Sequence, residues 1–153
     1  MVVDEMAGGE YYFIWAESLT PSPDGNRVAY KAQKRNLPKF CMVIDDAEGK
    51  EYDDFASTQP VFSGDSSRVA YLARLDNQWV VVVNGNEGKR YREVLGDYLT
   101  FSPDGKHLAY GARSIGPWFV VVDDQEGSKY DALVPGSKIV FDSPDSFHYL
   151  AVR

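Results

Sequence analysis

Cysteine occurs once in this 153-residue chain, at Cys41, so no internal disulfide can form and the redox compartment stays open. Histidine occurs twice, at His107 and His148, and no zinc spacing, phosphate loop or nucleophile elbow is present. No apolar run reaches transmembrane length. Basic residues are outnumbered, 16 Lys and Arg against 23 Asp and Glu, for a net charge of −7. That balance argues against a nucleic-acid backbone or an anionic membrane as main partner, because both need a net basic face. The start, Met1-Val2-Val3-Asp4-Glu5, lacks the basic and apolar regions of a signal peptide. This is what a cytoplasmic protein shows, or the mature or excised form of an exported one. A hydrophobic content of 44% excludes a disordered chain.

What is present is a repeat. Ser22-Pro23-Asp24-Gly25 precedes Val28-Ala29-Tyr30, and Ser63-Gly64-Asp65-Ser66 precedes Val69-Ala70-Tyr71. Ser102-Pro103-Asp104-Gly105 precedes Leu108-Ala109-Tyr110, and Ser143-Pro144-Asp145-Ser146 precedes Tyr149-Leu150-Ala151. The aspartates are 41, 39 and 41 residues apart. A period near forty, with strand and turn signals throughout, predicts an all-β propeller of four-stranded antiparallel blades. A second pattern at the same pitch runs Met42–Tyr52, Val81–Tyr91 and Val120–Tyr130. Its valine runs suit strands covered on both faces. Asp45-Asp46, Asn84-Gly85 and Asp123-Asp124 then mark hairpins that tolerate left-handed backbone. The recurring Gly49, Gly88 and Gly127 are read as positions of positive φ. In the third copy the strands are placed at Tyr98–Phe101 (a), Lys106–Ala112 (b), Trp118–Val122 (c) and Lys129–Leu133 (d).

Met1–Tyr11 aligns without gaps to Val120–Tyr130. The chain therefore carries three continuous blades and one composite, with limits near 1–16 (strands c and d), 17–56, 57–96, 97–135 and 136–153 (strands a and b). Closure of the composite blade within one chain gives a four-bladed ring with wedges of about 90°. Closure between two chains gives an eight-bladed homodimer with wedges of about 45°. Blades of forty residues are slim for the wider wedge, which favours the dimer. Either closure removes open edge strands.

The stretch Phe101-Ser102-Pro103-Asp104-Gly105-Lys106-His107-Leu108-Ala109-Tyr110 resembles the WD-repeat-like propeller repeat of TolB and related bacterial proteins. The resemblance covers the chain in four copies, with departures at Pro21, Gly64, Ser66 and Ser146. It implies a scaffold that binds proteins or small ligands, often in the bacterial periplasm. Similar propellers precede a peptidase domain in some relatives, and this sequence holds none.

Sorting the loops by blade face places Asp24, Asp45, Asp46, Asp65, Asp104, Asp123 and Asp124 among the acids of one end. The b–c segments carry Lys31, Lys34, Arg35, Lys39, Arg74 and Arg113 against one acid, Asp76, so the other face is expected to be mildly basic. Phe40, Trp79 and Trp118 share one repeat position there, and Tyr98 lies near a d–a loop. Phe40, Arg74, Trp79, Tyr98, Arg113 and Trp118 thus form a candidate rim for an anionic or aromatic ligand, or for a partner's acidic segment. The alternative for the aromatics is packing between blades. Paired carboxylates could hold Ca²⁺, but Asn84-Gly85 replaces the acid pair in one copy, and a turn role explains all three. His107 and His148 are read as equivalent positions with structural or solvated roles, and Cys41 as a buried thiol. No cofactor and no metal site is implied. The expected function is a non-catalytic binding scaffold. The alternative is a hydrolase or lyase sited in the central channel, where the expected lining, Thr20, Gln59, Thr100 and Lys138, offers little acid–base chemistry.

Overall fold

Asp45 and Asp46, Asn84 and Gly85, and Asp123 and Asp124 all adopt positive φ, between 48° and 81°. Two consecutive left-handed residues make the tight hairpin whose twist matches that of its flanking strands. These three hairpins organise the computed structural model, which describes residues 11–35, 37–56 and 59–153. The first sheet comprises β1 (Tyr11–Ile14), β2 (Thr20–Pro21), β3 (Val28–Lys34), β4 (Phe40–Ile44) and β5 (Ala47–Tyr52). The second comprises β6 (Asp54–Phe55), β7 (Val61–Phe62), β8 (Val69–Leu75), β9 (Gln78–Val83) and β10 (Asn86–Tyr91). The third comprises β11 (Glu93–Phe101), β12 (Leu108–Arg113), β13 (Trp118–Val122) and β14 (Gln125–Tyr130). β15 (Ala132–Leu133) pairs with β18 (Ala151–Val152), and β16 (Val140–Ser143) with β17 (Ser146–His148). All pairings are antiparallel, and the only helical turn among the described residues is the short 3₁₀ segment Ala16–Ser18. The fold is all-β and compatible with a propeller-like arrangement.

Each of the first two sheets is four strands wide, its first strand split in two, because β1 and β2 both pair with β3, and β6 and β7 with β8. The segments at 11–14, 54–55, 93–95 and 132–133 thus pair with the strands that follow them. The sheets divide at Asp53, Arg92 and Asp131, a few residues before the limits read from sequence. Residues Met1–Glu10, which carry the expected strands c and d of the composite blade, lie outside the described residues.

β4, β9 and β13 are buried at their centres, as strands covered on both faces require. β12 alternates: Leu108 and Tyr110 face the second sheet, while Ala109 faces the terminal strands. One contact repeats at each sheet junction. The tyrosine closing one sheet meets edge-to-face the tyrosine in the second strand of the next: Tyr52 on Tyr71 at 6.5 Å, Tyr91 on Tyr110 at 6.2 Å and Tyr130 on Tyr149 at 5.7 Å between centroids. Such pairs contribute about 0.5–1.5 kcal/mol each beyond the area they bury.

The third of these pairs corrects the register of the last copy. Tyr149 stands with Tyr110, and Ala151 opposite Leu133 stands with Ala112 opposite Val94. The final turn is one residue shorter than its counterparts, so Phe147, not Tyr149, takes the place of Leu108. His148 is consequently not the counterpart of His107. It ends β17, with Nδ1 2.9 Å from Asp142 Oδ2.

Gly49, Gly88 and Gly127 are also reassigned. Among the described glycines, positive φ occurs at Gly25, Gly85, Gly105, Gly116 and Gly136 instead. A Cβ on Gly49 would lie 3.0 Å from the Met42 carbonyl oxygen, and one on Gly127 3.1 Å from that of Val120. At Gly88 the nearest atoms are Asp124 Oδ1 at 2.8 Å and the Val81 oxygen at 3.3 Å. The ladder register shifts near each glycine, so close backbone approach at a bulge is what requires them.

The Ser-Pro-Asp-Gly turns are closed internally. The hydroxyls of Ser22, Ser63 and Ser102 donate to Asp24, Asp65 and Asp104 at 2.5, 2.6 and 2.6 Å. The same three oxygens each accept a backbone N–H five residues on, at 3.0 Å. The serine hydroxyl and neighbouring donors hold the Asp65 carboxyl down to about 2, and lower Asp24 and Asp104 in the same way. A depressed folded-state value contributes stability above the unfolded value, and this is lost as pH falls through the folded one. The urea midpoint of the protein is therefore expected to fall as pH drops from about 4 to about 2. Asp65→Asn is expected to be less stable at neutral pH and to show a shallower acid decline.

Candidate functional site

Interruptions of each sheet's first strand create the concave surfaces. The chain leaves the ladder between β1 and β2 and between β6 and β7. Within β11 the register steps from Leu95 opposite Gly111 to Thr100 opposite Ala109. A further excursion separates β15 from β16. Described residues of these excursions line hollows at the sheet junctions.

The largest is a cleft of about 800 Å³ on both sides of the third sheet. Phe55, Leu72, Trp79, Leu95, Trp118 and Leu133 supply its apolar surface, and Asp54, Glu93 and Asp97 its charged groups. A smaller hollow of about 310 Å³ lies at the junction of the first and second sheets, where Trp15, Lys31 and Phe40 meet Asp54, Phe55 and Ala56. All three tryptophans of the chain line these two hollows. A groove of about 730 Å³ gathers Thr20 of β2 with Gln59 and Lys138, and has Asp97 and Leu99 where Thr100 was expected.

The candidate rim is divided by the structure. Trp79 and Trp118 line the cleft and Phe40 the smaller hollow. Tyr98 reaches the cleft wall but is only 2% exposed, and its hydroxyl donates to the Val134 carbonyl at 2.5 Å, with Ser137 Oγ also at 2.5 Å. Arg74 and Arg113 are absent from the lining. They lie over the indoles of Trp79 and Trp118 at 5.7 and 4.8 Å. Arg113 Nη2 donates to Glu93 Oε1 at 2.5 Å, and Arg74 approaches Asp54 at 3.6 Å.

The expected basic character of this face is thereby corrected. Lys39 pairs with Asp53, Arg90 approaches Asp76 at 3.5 Å, and the two arginines meet the acids just named. Asp54 stands opposite Arg74, and Glu93 opposite Arg113, because the start of each sheet's first strand lies beside its second. Assigning those acids to the preceding unit hid the pairing. Aligning the segments after Tyr52 and Tyr91, which matches Asp54 with Glu93 and Ala56 with Leu95, is the signal that could have found them.

At the opposite end the carboxylates hold the fold. Oδ1 of Asp45, Asn84 and Asp123 accepts the N–H of Val28, Val69 and Leu108 at 2.9, 2.9 and 3.0 Å. Arg27 Nε donates to Asp45 at 2.8 Å, and the Arg68 guanidinium donates to the Gly105 and Lys106 carbonyls of the next sheet at 2.9 and 2.7 Å. His107 Nδ1 lies 2.5 Å from Asp123, which raises the imidazole above its ordinary value. Cys41 is fully buried in the first sheet, and burial pushes its thiol up to about 11. A thiol so raised stays protonated at neutral pH and is a poor nucleophile. No group of three or more His, Cys, Asp or Glu disposed to hold a metal ion occurs among the described residues.

Comparison with protein-family models, with curated proteins and with solved structures yields no match to this chain. The geometry of the cleft therefore carries the functional reading. Because the Tyr98 hydroxyl anchors the excursion at Val134, Tyr98→Phe is expected to lower the unfolding free energy by about 1–2 kcal/mol, measured by urea denaturation.

Proposed function

We propose that this chain is a non-catalytic binding scaffold, built on a TolB-like β-propeller whose working surface is the tryptophan-walled cleft. The single observation that carries the reading is the composition of that cleft. It is large and aromatic, and its polar groups are held in place: Glu93 by Arg113 through Oε1, and Tyr98 by Val134. Such a surface provides contact area and orientation, which is what a binding site needs. A ligand-observed NMR screen of small aromatic fragments tests it. Binders are expected with the parent protein and are expected to be lost in Trp118→Ala, with a lowered melting temperature but an intact folded state. A screen without binders would overturn the reading.

Each chain contributes three continuous blades and one composite to the proposed ring. Among the described residues, seven of the eight exposed large apolar side chains lie near the two ends of the chain: Tyr12, Phe13, Ile14 and Leu37 in or beside the first sheet, and Val140, Leu150 and Val152 in or beside the terminal strands. Apolar surface concentrated in this way favours mutual burial. Ion pairs along the sheet junctions point the same way. Lys50 meets Glu87 at 2.6 Å, and Lys89 pairs with Glu126. The next lysine position is Ser128, and the glutamate position it would face aligns with Ala7. Loss of both partners together is consistent with these two positions meeting at the seam. We propose closure between two chains as an eight-bladed homodimer. Light scattering is expected to report about 34 kDa, twice the 17.1 kDa of the chain; 17.1 kDa would assign closure to a single chain instead.

A further inference from the structure

The repeat allows one hollow to be read against the other. In the smaller hollow the protein fills its own site. The Lys31 ammonium donates to the Ala56 carbonyl beside the Asp54 carboxylate, and the Trp15 indole packs on Phe40 with centroids 5.3 Å apart. Burial pulls this lysine below its usual range, and the charge of Asp54 opposes that shift.

The cleft repeats the receiving half of this arrangement without the filling half. Glu93 holds the repeat position of Asp54, Leu95 that of Ala56, and Trp79 that of Phe40. The two filling groups are gone: Leu72 stands where Lys31 would, and Ala56 where Trp15 would. All charged residues of the cleft lining, Asp54, Glu93 and Asp97, are acids. Glu93 is bound by Arg113 through Oε1, Asp54 is approached by Arg74 at 3.6 Å, and Asp97 is exposed. An anionic ligand would meet carboxylates here, whereas a cation would find the environment that Lys31 finds next door.

Resting on the binding reading above, we propose that the cleft binds an organic ammonium ion attached to an aromatic ring, which takes the place that Lys31 and Trp15 fill in the neighbouring hollow. The ammonium takes the repeat place of Lys31 beside Glu93, where ion pairing supplies the attraction. The ring packs on Leu72 and Leu95 in the space left by Ala56. A free arylalkylamine and a lysine next to an aromatic residue in a peptide present the same chemistry.

Three probes of similar size separate charge from shape: the isosteric 2-phenylethylamine and 2-phenylethanol, and phenylacetate, titrated by intrinsic tryptophan fluorescence. The amine is expected to bind at least about tenfold tighter than the alcohol, and the carboxylate weakest. Leu72→Lys and Ala56→Trp rebuild the cleft in the image of its neighbour. Each is expected to abolish amine binding. Ala56→Trp is expected to keep a melting temperature close to that of the parent, whereas Leu72→Lys, at a buried position, is expected to lower it while the protein still folds. Glu93→Gln is expected to weaken the amine and leave the alcohol unchanged. Equal binding of amine and alcohol would overturn the ammonium assignment while leaving the cleft a binding site. Absence of binding by all three probes, with fragments still found in the NMR screen, would overturn the assignment alone. Amine binding undiminished in a folded Leu72→Lys protein would also overturn it. A capped Phe-Lys dipeptide binding more tightly than the amine would assign the ammonium to a peptide, and the reverse order to a small molecule.

Discussion

The contact of one sheet's closing tyrosine with the second-strand tyrosine of the next is the constraint on which the rest of the structure depends. It sets how far each sheet is advanced along its neighbour, because an edge-to-face pair tolerates little sliding before the rings lose contact. The backbone beneath it has adapted. Gly49 lies under Tyr71, whose hydroxyl would be 3.5 Å from a Cβ at that position. The same advance carries Arg68 onto the carbonyls of the next turn and over the Phe101 ring, 5.1 Å from its centroid. Sheet register, hairpin bulges and the outer ladder of cations are therefore one arrangement.

The cleft follows from that register. With the sheets held at their tyrosines, the excursions in each first strand have only neighbouring excursions to pack against. What fills the space is decided residue by residue. Trp15 and Lys31 leave a small hollow at the first junction. Ala56 and Leu72 leave a larger one at the second. Gly111 admits Leu133, whose Cδ1 would lie 2.6 Å from a Cβ there. A repeating scaffold can thus carry non-repeating surfaces, which suits a binding protein.

The legible features were those with a local cause. The Ser-Pro-Asp-Gly turns, the left-handed hairpin pairs and the valine strands covered on both faces each rest on interactions within a few residues, and Trp118–Val122 was placed to the residue. Features with a cause across the sheet were misread. The glycines look like turn residues until the opposing carbonyls are seen. His148 matches His107 by its distance from the Ser-Pro-Asp motif, yet the tyrosine contact advances it by two positions. The face with Arg74 and Arg113 looked basic because their acids come twenty residues earlier in the chain and on another strand.

By itself the sequence determined the strand and turn grammar, the forty-residue period, and the positions at which aromatic residues recur. These depend on backbone preference and side-chain alternation, which act locally. Only the tertiary structure decided which tryptophans share a cleft, that Tyr98 is a buried anchor, and that the arginines are spent on Glu93 and Asp54. It also decided that the charged groups lining the cleft are all carboxylates. The physical reason is that these properties belong to pairs of residues brought together by sheet pairing and sheet packing. Their sign depends on the partner, and the partner is set by register.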